Sequence, residues 1–287
     1  MESTSSSRME RSPLGEEVFV KLGGSVITDK QRPSTPRPDL IKRLASELKA
    51  ALEVRPELRV VLGHGSGSFG HVVGARYNVR RGMADDENWW GYAATGAAAA
   101  RLNRIVADTF LASGVPVLTI QPSASARCQG GRVVDMDVRP ICEALRHRLV
   151  PLVHGDVAFD GEQGCTIVST EQVFAYLAHY VRPARIVMVG EVDGVYDDDP
   201  LVNPNALRIP RITPESFGDL ESQLGSSHGV DVTGGMLAKV REMVDLVAQG
   251  YTERVHLVSG RHEGALTRVL VDAALEEGTL IESSGAP

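Results

Sequence analysis

Short, almost uninterrupted apolar runs alternate with longer stretches in which apolar residues recur every three or four positions. The runs are 18–23 (VFVKLG), 59–63 (RVVLG), 116–121 (PVLTIQ), 150–155 (VPLVHG), 185–190 (RIVMVG) and 254–260 (RVHLVSG). Their Val/Ile/Leu content and lack of polar alternation predict strands buried on both faces. The longer stretches predict helices over about 38–54, 89–113, 139–147, 170–181, 235–249 and 264–277. Strands alternating with helices give right-handed βαβ units, so the expected fold class is α/β with a mainly parallel central sheet. Glycine-centred stretches at 127–134 (RCQGGRVV) and 159–168 (FDGEQGCTIV) predict two antiparallel hairpins.

The chain carries no internal repeat and no low-complexity linker. Its best boundary is VRPARI (181–186), which predicts two lobes, 16–182 and 183–287, sharing one sheet. Residues 1–15 are polar and lack an apolar h-region, so they are expected to be a disordered tail rather than a secretory signal.

Composition narrows the function classes. A net charge of −7 removes the global basic footprint of a nucleic-acid binder. No apolar run reaches the ~18 residues of a membrane span. Cys128, Cys142 and Cys165 form no C-x-x-C, and their number is odd. They are expected to be reduced thiols in a cytoplasmic protein, with no zinc site.

Chemistry is suggested first by Gly65-Ser66-Gly67-Ser68-Phe69-Gly70, which spells G-x-G-x-x-G after a strand. A dinucleotide fingerprint belongs on the first strand–helix turn, with an acidic residue closing the next strand. Here the loop follows the second strand, and no apolar run carries Asp85 or Asp86. What survives is an anion cradle: backbone N–H groups at a strand-to-helix turn, with glycines permitting close approach. A second glycine turn, Gly23-Gly24-Ser25, ends the first strand. Lys21 lies inside that strand, where an unpaired ammonium is costly, and Lys30 closes the segment. A third segment, DVTGGMLAK (231–239), opens an amphipathic helix with Lys239 expected in its first turn. There is no Walker motif and no protein-kinase H-R-D or D-F-G.

Taken in order, KLGGSVITDK (21–30), GSGSFGH (65–71), HGDV (154–157), VDGVYDDDP (192–200) and DVTGGMLAK (231–239) resemble the amino acid kinase superfamily, and within it the isopentenyl phosphate kinases. The resemblance spans about 17–283. It implies an open αβα sandwich, a homodimer, ATP with Mg2+, and phosphoryl transfer to isopentenyl phosphate in an isoprenoid route. It assigns Lys21, Lys30, His71 and Lys239 to catalysis. Ser66, Gly67, His71, Gly155, Thr170 and Glu171 would bind the acceptor. Lys21, Gly23, Gly24, Ser25, Gly67, Asp193, Gly194, Tyr196, Gly235 and Lys239 would bind the nucleotide, the acceptor lying on the N-terminal lobe and ATP on the C-terminal one. Two departures stand out: Gly190-Glu191 where many relatives have Thr-Asp, and Ser169-Thr170-Glu171 where the pattern is Ser-Gly-Asp. Candidates for the wall of an apolar acceptor pocket are Val72, Val73, Trp89, Trp90, Tyr92 and Ala93. His64 is read as structural. The rival readings are a fosfomycin or UMP kinase of the same fold and a nucleotide-binding protein without turnover.

Overall fold

The computed structural model describes residues 15–82, 89–200, 202–226 and 232–284. The tail expected at 1–15 falls almost wholly outside the described residues, as do Asp85 and Asp86. The first part of the chain forms β1 (Glu17–Leu22), α1 (Gly24–Ile27), α2 (Pro38–Val54), β2 (Arg59–His64), α3 (Gly67–Arg76), α4 (Trp89–Ala112) and β3 (Val117–Thr119). Next come β4 (Arg127–Gln129), β5 (Arg132–Asp135), α5 (Arg139–Arg146), β6 (Val150–His154), β7 (Asp156–Asp160), β8 (Gly164–Val168) and α6 (Thr170–Val181). The remainder forms β9 (Arg185–Gly190), β10 (Val195–Tyr196), β11 (Arg208–Ile209), β12 (Arg211–Ile212), α7 (Pro214–Ser226), α8 (Val232–Ala248), β13 (Arg254–Ser259), α9 (Ala265–Val271) and β14 (Thr279–Glu282).

The six apolar runs all become strands of one eight-stranded sheet, ordered β12-β14-β13-β9-β1-β2-β6-β3. Only β13–β14 is antiparallel. The two expected hairpins, β4–β5 and β7–β8, form and join edge to edge as a separate four-stranded sheet. Strand periodicity explains the two core layers. Val18, Val20 and Leu22 face α2, α4 and α9. Phe19 faces the other way, onto α6 and α8, and its ring meets Phe174 at 4.9 Å. Lys21 shares the Phe19 face, which aims an ammonium at α6.

Three helices escape the hydrophobic pattern. α3 (GSFGHVVGAR) is too glycine-rich to show an apolar stripe, and α1 is a single turn. α7 begins at Pro214, a favoured first-turn residue, but has few apolar positions. α8 starts at Val232 rather than about 235, because Gly234 and Gly235 are absorbed into the helix. Lys239 therefore stands two turns in, and the expected first-turn placement is corrected.

The seven-residue α9 is gripped at both ends by distant parts of the chain. The Glu47 carboxylate on α2 accepts from the amides of Gly264 and Leu266 at 3.0 and 3.1 Å. At the other end Arg185 donates to the carbonyls of Val269 and Leu270, and Arg55 donates to Val271. Glu16 ties the two guanidiniums together at 2.7 and 3.0 Å.

Candidate active site

The site lies at the C-terminal edge of the sheet, where open α/β folds place their ligands. Two glycine turns meet there. Gly24 packs so closely on the α3 loop that a Cβ on it would lie 2.6 Å from Gly67 N. Gly67 itself has φ +49°, a conformation that favours glycine. Thr28 fastens the two turns: its hydroxyl donates to Gly24 O at 2.7 Å and accepts from Ser68 N at 3.0 Å. The turns also start two helices, so the leading amides (Gly24 and Ser25 in α1, Gly67 in α3, with Ser66 as cap) have no intrahelical acceptor.

Lys21 Nζ is 3.1 Å from Glu171 Oε1, and both side chains are buried. Glu171 is held in the first turn of α6 by a capping box: Ser169 accepts from Gln172 N while Gln172 accepts from Ser169 N. Burial alone would push the Glu171 carboxyl up, but Lys21 and Lys239 outweigh it and the net direction is down. The extra methylene of Glu171, relative to the Asp of the Ser-Gly-Asp pattern, does not prevent its pairing with Lys21. Lys239 and His71 are both exposed, yet enough protein surrounds each to lower its pKa, as expected for groups lining a cleft. For Lys239, desolvation is followed by repulsion from Lys21 and Lys30, with Glu171 opposing. For His71, desolvation is followed by the charges of Lys239, Arg80 and Lys30. Lys21, Lys30, His71, Lys239 and Glu171 thus form one electrostatic cluster, each close enough to another of them to perturb its ionisation.

Other expected residues have definite but different places. Gly155 spends its amide on His64 O at 3.0 Å, and the Thr170 hydroxyl donates to the same carbonyl at 2.6 Å. Both therefore fix the floor of the cradle through that carbonyl. In the loop after β9, Tyr196 donates to Asp193 at 2.5 Å, Arg208 lies 3.8 Å from the same carboxylate, and Thr279 accepts from Val195 N next to Gly194. This loop is braced from within. Gly235 lies in α8. Glu191, at the Thr-Asp departure, pairs with Arg37 and Arg261.

The sequence reading missed Thr28, Arg80 and Glu242. Glu242 lies one turn beyond Lys239, half-buried, and burial followed by Glu171 pushes its carboxyl up to about 7. Its spacing from Lys239 was the only available signal. Of the pocket candidates, Trp89 and Tyr92 pack with Phe159 and over Val79, Val157, Cys165 and Ile167. Val72, Val73, Trp90 and Ala93 instead line an open groove of about 530 Å³ between α3 and α4, with Arg76 and Arg101 at its rim.

Paired glycine turns with free leading amides at a parallel sheet edge, beside an electrostatic cluster of three lysines and a histidine, are suited to phosphoryl transfer. The amino acid kinase family model matches residues 16–259, and the chain belongs to that family. It is similar to the isopentenyl phosphate kinase of Methanothermobacter thermautotrophicus, at 35% identity over 87% of this chain and 94% of the relative. The isopentenyl phosphate kinase of Methanocaldococcus jannaschii is 33% identical over 77% and 84%. A crystal structure of an isopentenyl phosphate kinase superposes with a TM-score of 0.78 and 29% identity, covering 92% of this chain and 99% of that one.

Proposed function

We propose that the protein transfers the γ-phosphoryl group of MgATP to isopentenyl phosphate, giving isopentenyl diphosphate. The observation that carries this reading is the pair of touching glycine turns, with the buried Lys21–Glu171 pair beside them and Lys30, His71 and Lys239 in the same electrostatic cluster. A phosphate monoester is already anionic near neutral pH, so its oxygen needs no strong base. The obstacle is repulsion between two polyanions, which calls for neutralisation and alignment.

In this reading the acceptor phosphate sits on Ser66 and Gly67, with His71 donating to it. The β- and γ-phosphates sit on Gly23, Gly24 and Ser25, flanked by Lys21 and Lys30. Lys239 approaches from α8, and Glu171 holds Lys21 through their ion pair. Asp193, Gly194, Tyr196 and Gly235 would frame the rest of the nucleotide. Glu171 is committed to Lys21, and no group of three or more His, Cys, Asp or Glu side chains among the described residues is placed to hold a metal ion. Magnesium would come with the nucleotide, offsetting the charge of its phosphates. The N-terminal lobe holds the acceptor and the C-terminal lobe the nucleotide, within a cytoplasmic homodimer.

The acceptor's short hydrocarbon tail is assigned to the aromatic cluster of Trp89, Tyr92 and Phe159. Phe159 is 55% exposed, an apolar surface available for a ligand. The test is ATP consumption with isopentenyl phosphate, dimethylallyl phosphate, fosfomycin and UMP in parallel. Turnover on the prenyl phosphates alone supports the reading. Turnover on fosfomycin or UMP alone replaces the acceptor. ATP binding with no turnover on any of them favours the non-catalytic alternative.

A further inference from the structure

His64 was read as structural from the sequence, but its side chain occupies a telling position. It is fully buried beneath the acceptor loop, at the end of β2. Its Nδ1 lies 3.1 Å from Gly65 O. Its Nε2 lies 3.1 Å from the side-chain amide of Asn103, whose other amide atom is 3.3 Å from the Thr119 hydroxyl. A carbonyl only accepts, so Nδ1 must carry hydrogen. A second ring hydrogen would make a buried imidazolium. Burial opposes this first, and His154, stacked at 5.5 Å and 9°, opposes it next; together they push the His64 pKa down to about 3. Nε2 is therefore bare and accepts. Asn103 must then turn its NH2 to His64 and its oxygen to the Thr119 hydroxyl, an exchange of isosteric atoms that satisfies all three groups.

We infer that His64 is a positioning residue, whose Nδ1–H holds the Gly65 carbonyl down and thereby aims the Ser66 amide at the acceptor phosphate. The Gly65 C=O and the Ser66 N–H belong to one planar trans peptide and point in opposite directions. With the carbonyl tied to a ring inside the protein, the N–H faces the cleft. Released, that peptide is free to rotate and present a carbonyl lone pair to an anion. The same residue's carbonyl gathers Gly155 N and the Thr170 hydroxyl, so one residue sets three walls of the cradle. This inference rests on the reading of the loop as an acceptor-phosphate cradle.

Two variants separate the ring nitrogens. His64→Asn places an amide NH2 where Nδ1 was and keeps the tether. His64→Gln places it where Nε2 was and loses the tether. Steady-state kinetics with isopentenyl phosphate and ATP, and thermal melting, are measured for both. The expected result is an acceptor KM raised about tenfold or more in His64→Gln, the effect of losing one hydrogen bond to a charged group. ATP KM should stay near wild type in both variants, and His64→Asn should keep an acceptor KM close to wild type. Equal acceptor KM values in the two variants would overturn the inference. A nitrogen-15 spectrum of the wild-type imidazoles gives a second reading: the Nδ1–H tautomer of His64 supports it, and the Nε2–H tautomer overturns it. Wild-type silence on isopentenyl phosphate would overturn the substrate assignment alone, because the tautomer is read without turnover.

Discussion

At the scale of single residues, the site depends on charges that are stable only in each other's company. Glu171→Gln removes one partner of a buried pair and leaves the Lys21 ammonium uncompensated, an effect worth about 3–5 kcal/mol. Thermal melting should fall markedly, and kcat should fall further because Lys21 loses its anchor; an unchanged melt would remove Glu171 from that role. The wild-type pair also sets a pH limit. The folded carboxyl lies below its ordinary value of 4.5, so its stabilisation is complete above that value and disappears as pH falls through the lower folded one. Acid unfolding is expected to begin below about pH 4.5 in the wild type, and Glu171→Gln should flatten that acid limb. His71 carries the opposite charge logic. Desolvation and then Lys239, Arg80 and Lys30 depress its pKa, so the free imidazole is neutral at pH 7. Acceptor phosphate supplies the negative charge that offsets those neighbours. NMR titration should show the His71 pKa rising on addition of isopentenyl phosphate, and His71→Ala should lose activity with ATP affinity retained. A pKa indifferent to the acceptor, or an equal loss of ATP affinity, would detach His71 from the acceptor.

At the scale of elements, the site depends on where helices begin. α6 starts at a capping box, so Ser169→Ala should cost about 1 kcal/mol and weaken the hold on Glu171, read as a lower melting temperature together with reduced kcat. Gly24→Ala should be more damaging to function than to folding, because its Cβ would press on the Gly67 amide and force the two cradles apart. KM should rise for both substrates; a rise confined to one would mean that the turns act separately. Much of this was legible in the chain. The six central strands, both hairpins and most long helices follow from apolar periodicity, and Lys21 was conspicuous because an ammonium has no business inside an apolar strand. The short elements were not legible. Single-turn α1 has no period to detect, and the three glycines of α3, Gly67, Gly70 and Gly74, dilute any helical stripe. The approach of Thr28 to Ser68, of His64 to Asn103 and of Glu242 to Glu171 was also hidden, since each joins residues far apart in the chain.

At the scale of the whole molecule, β1 is the line about which everything is arranged. In the eight-stranded sheet β2, β6 and β3, all before residue 181, lie on one side of β1, and β9, β13, β14 and β12, all after it, lie on the other. α9 is the exception in its attachments, because α2 caps its start while Arg55 and Arg185 cap its end. Arg185→Met removes three hydrogen bonds and leaves Glu16 its ion pair with Arg55. A loss of about 3 kcal/mol is expected, with amide exchange in α9 accelerating ahead of the sheet. Exchange that quickens uniformly would show α9 to be no weak point.

The sheet order has one more implication, for exchange of parts between related proteins. The segment from β2 to α6 leaves β1 and returns to β9, strands that are direct hydrogen-bonded neighbours on the opposite flank. It behaves as a loop-out of about half the chain, entering and leaving along a single strand, and it holds the histidine and the aromatic wall, whereas both glycine-turn lysines and the α8 lysine stay behind. A cassette so bounded is open to replacement as a unit, provided that it keeps Glu171, the partner of Lys21, and the Gly67 turn against Gly24: new acceptors would then be recruited by grafting one stretch onto the rest of the frame.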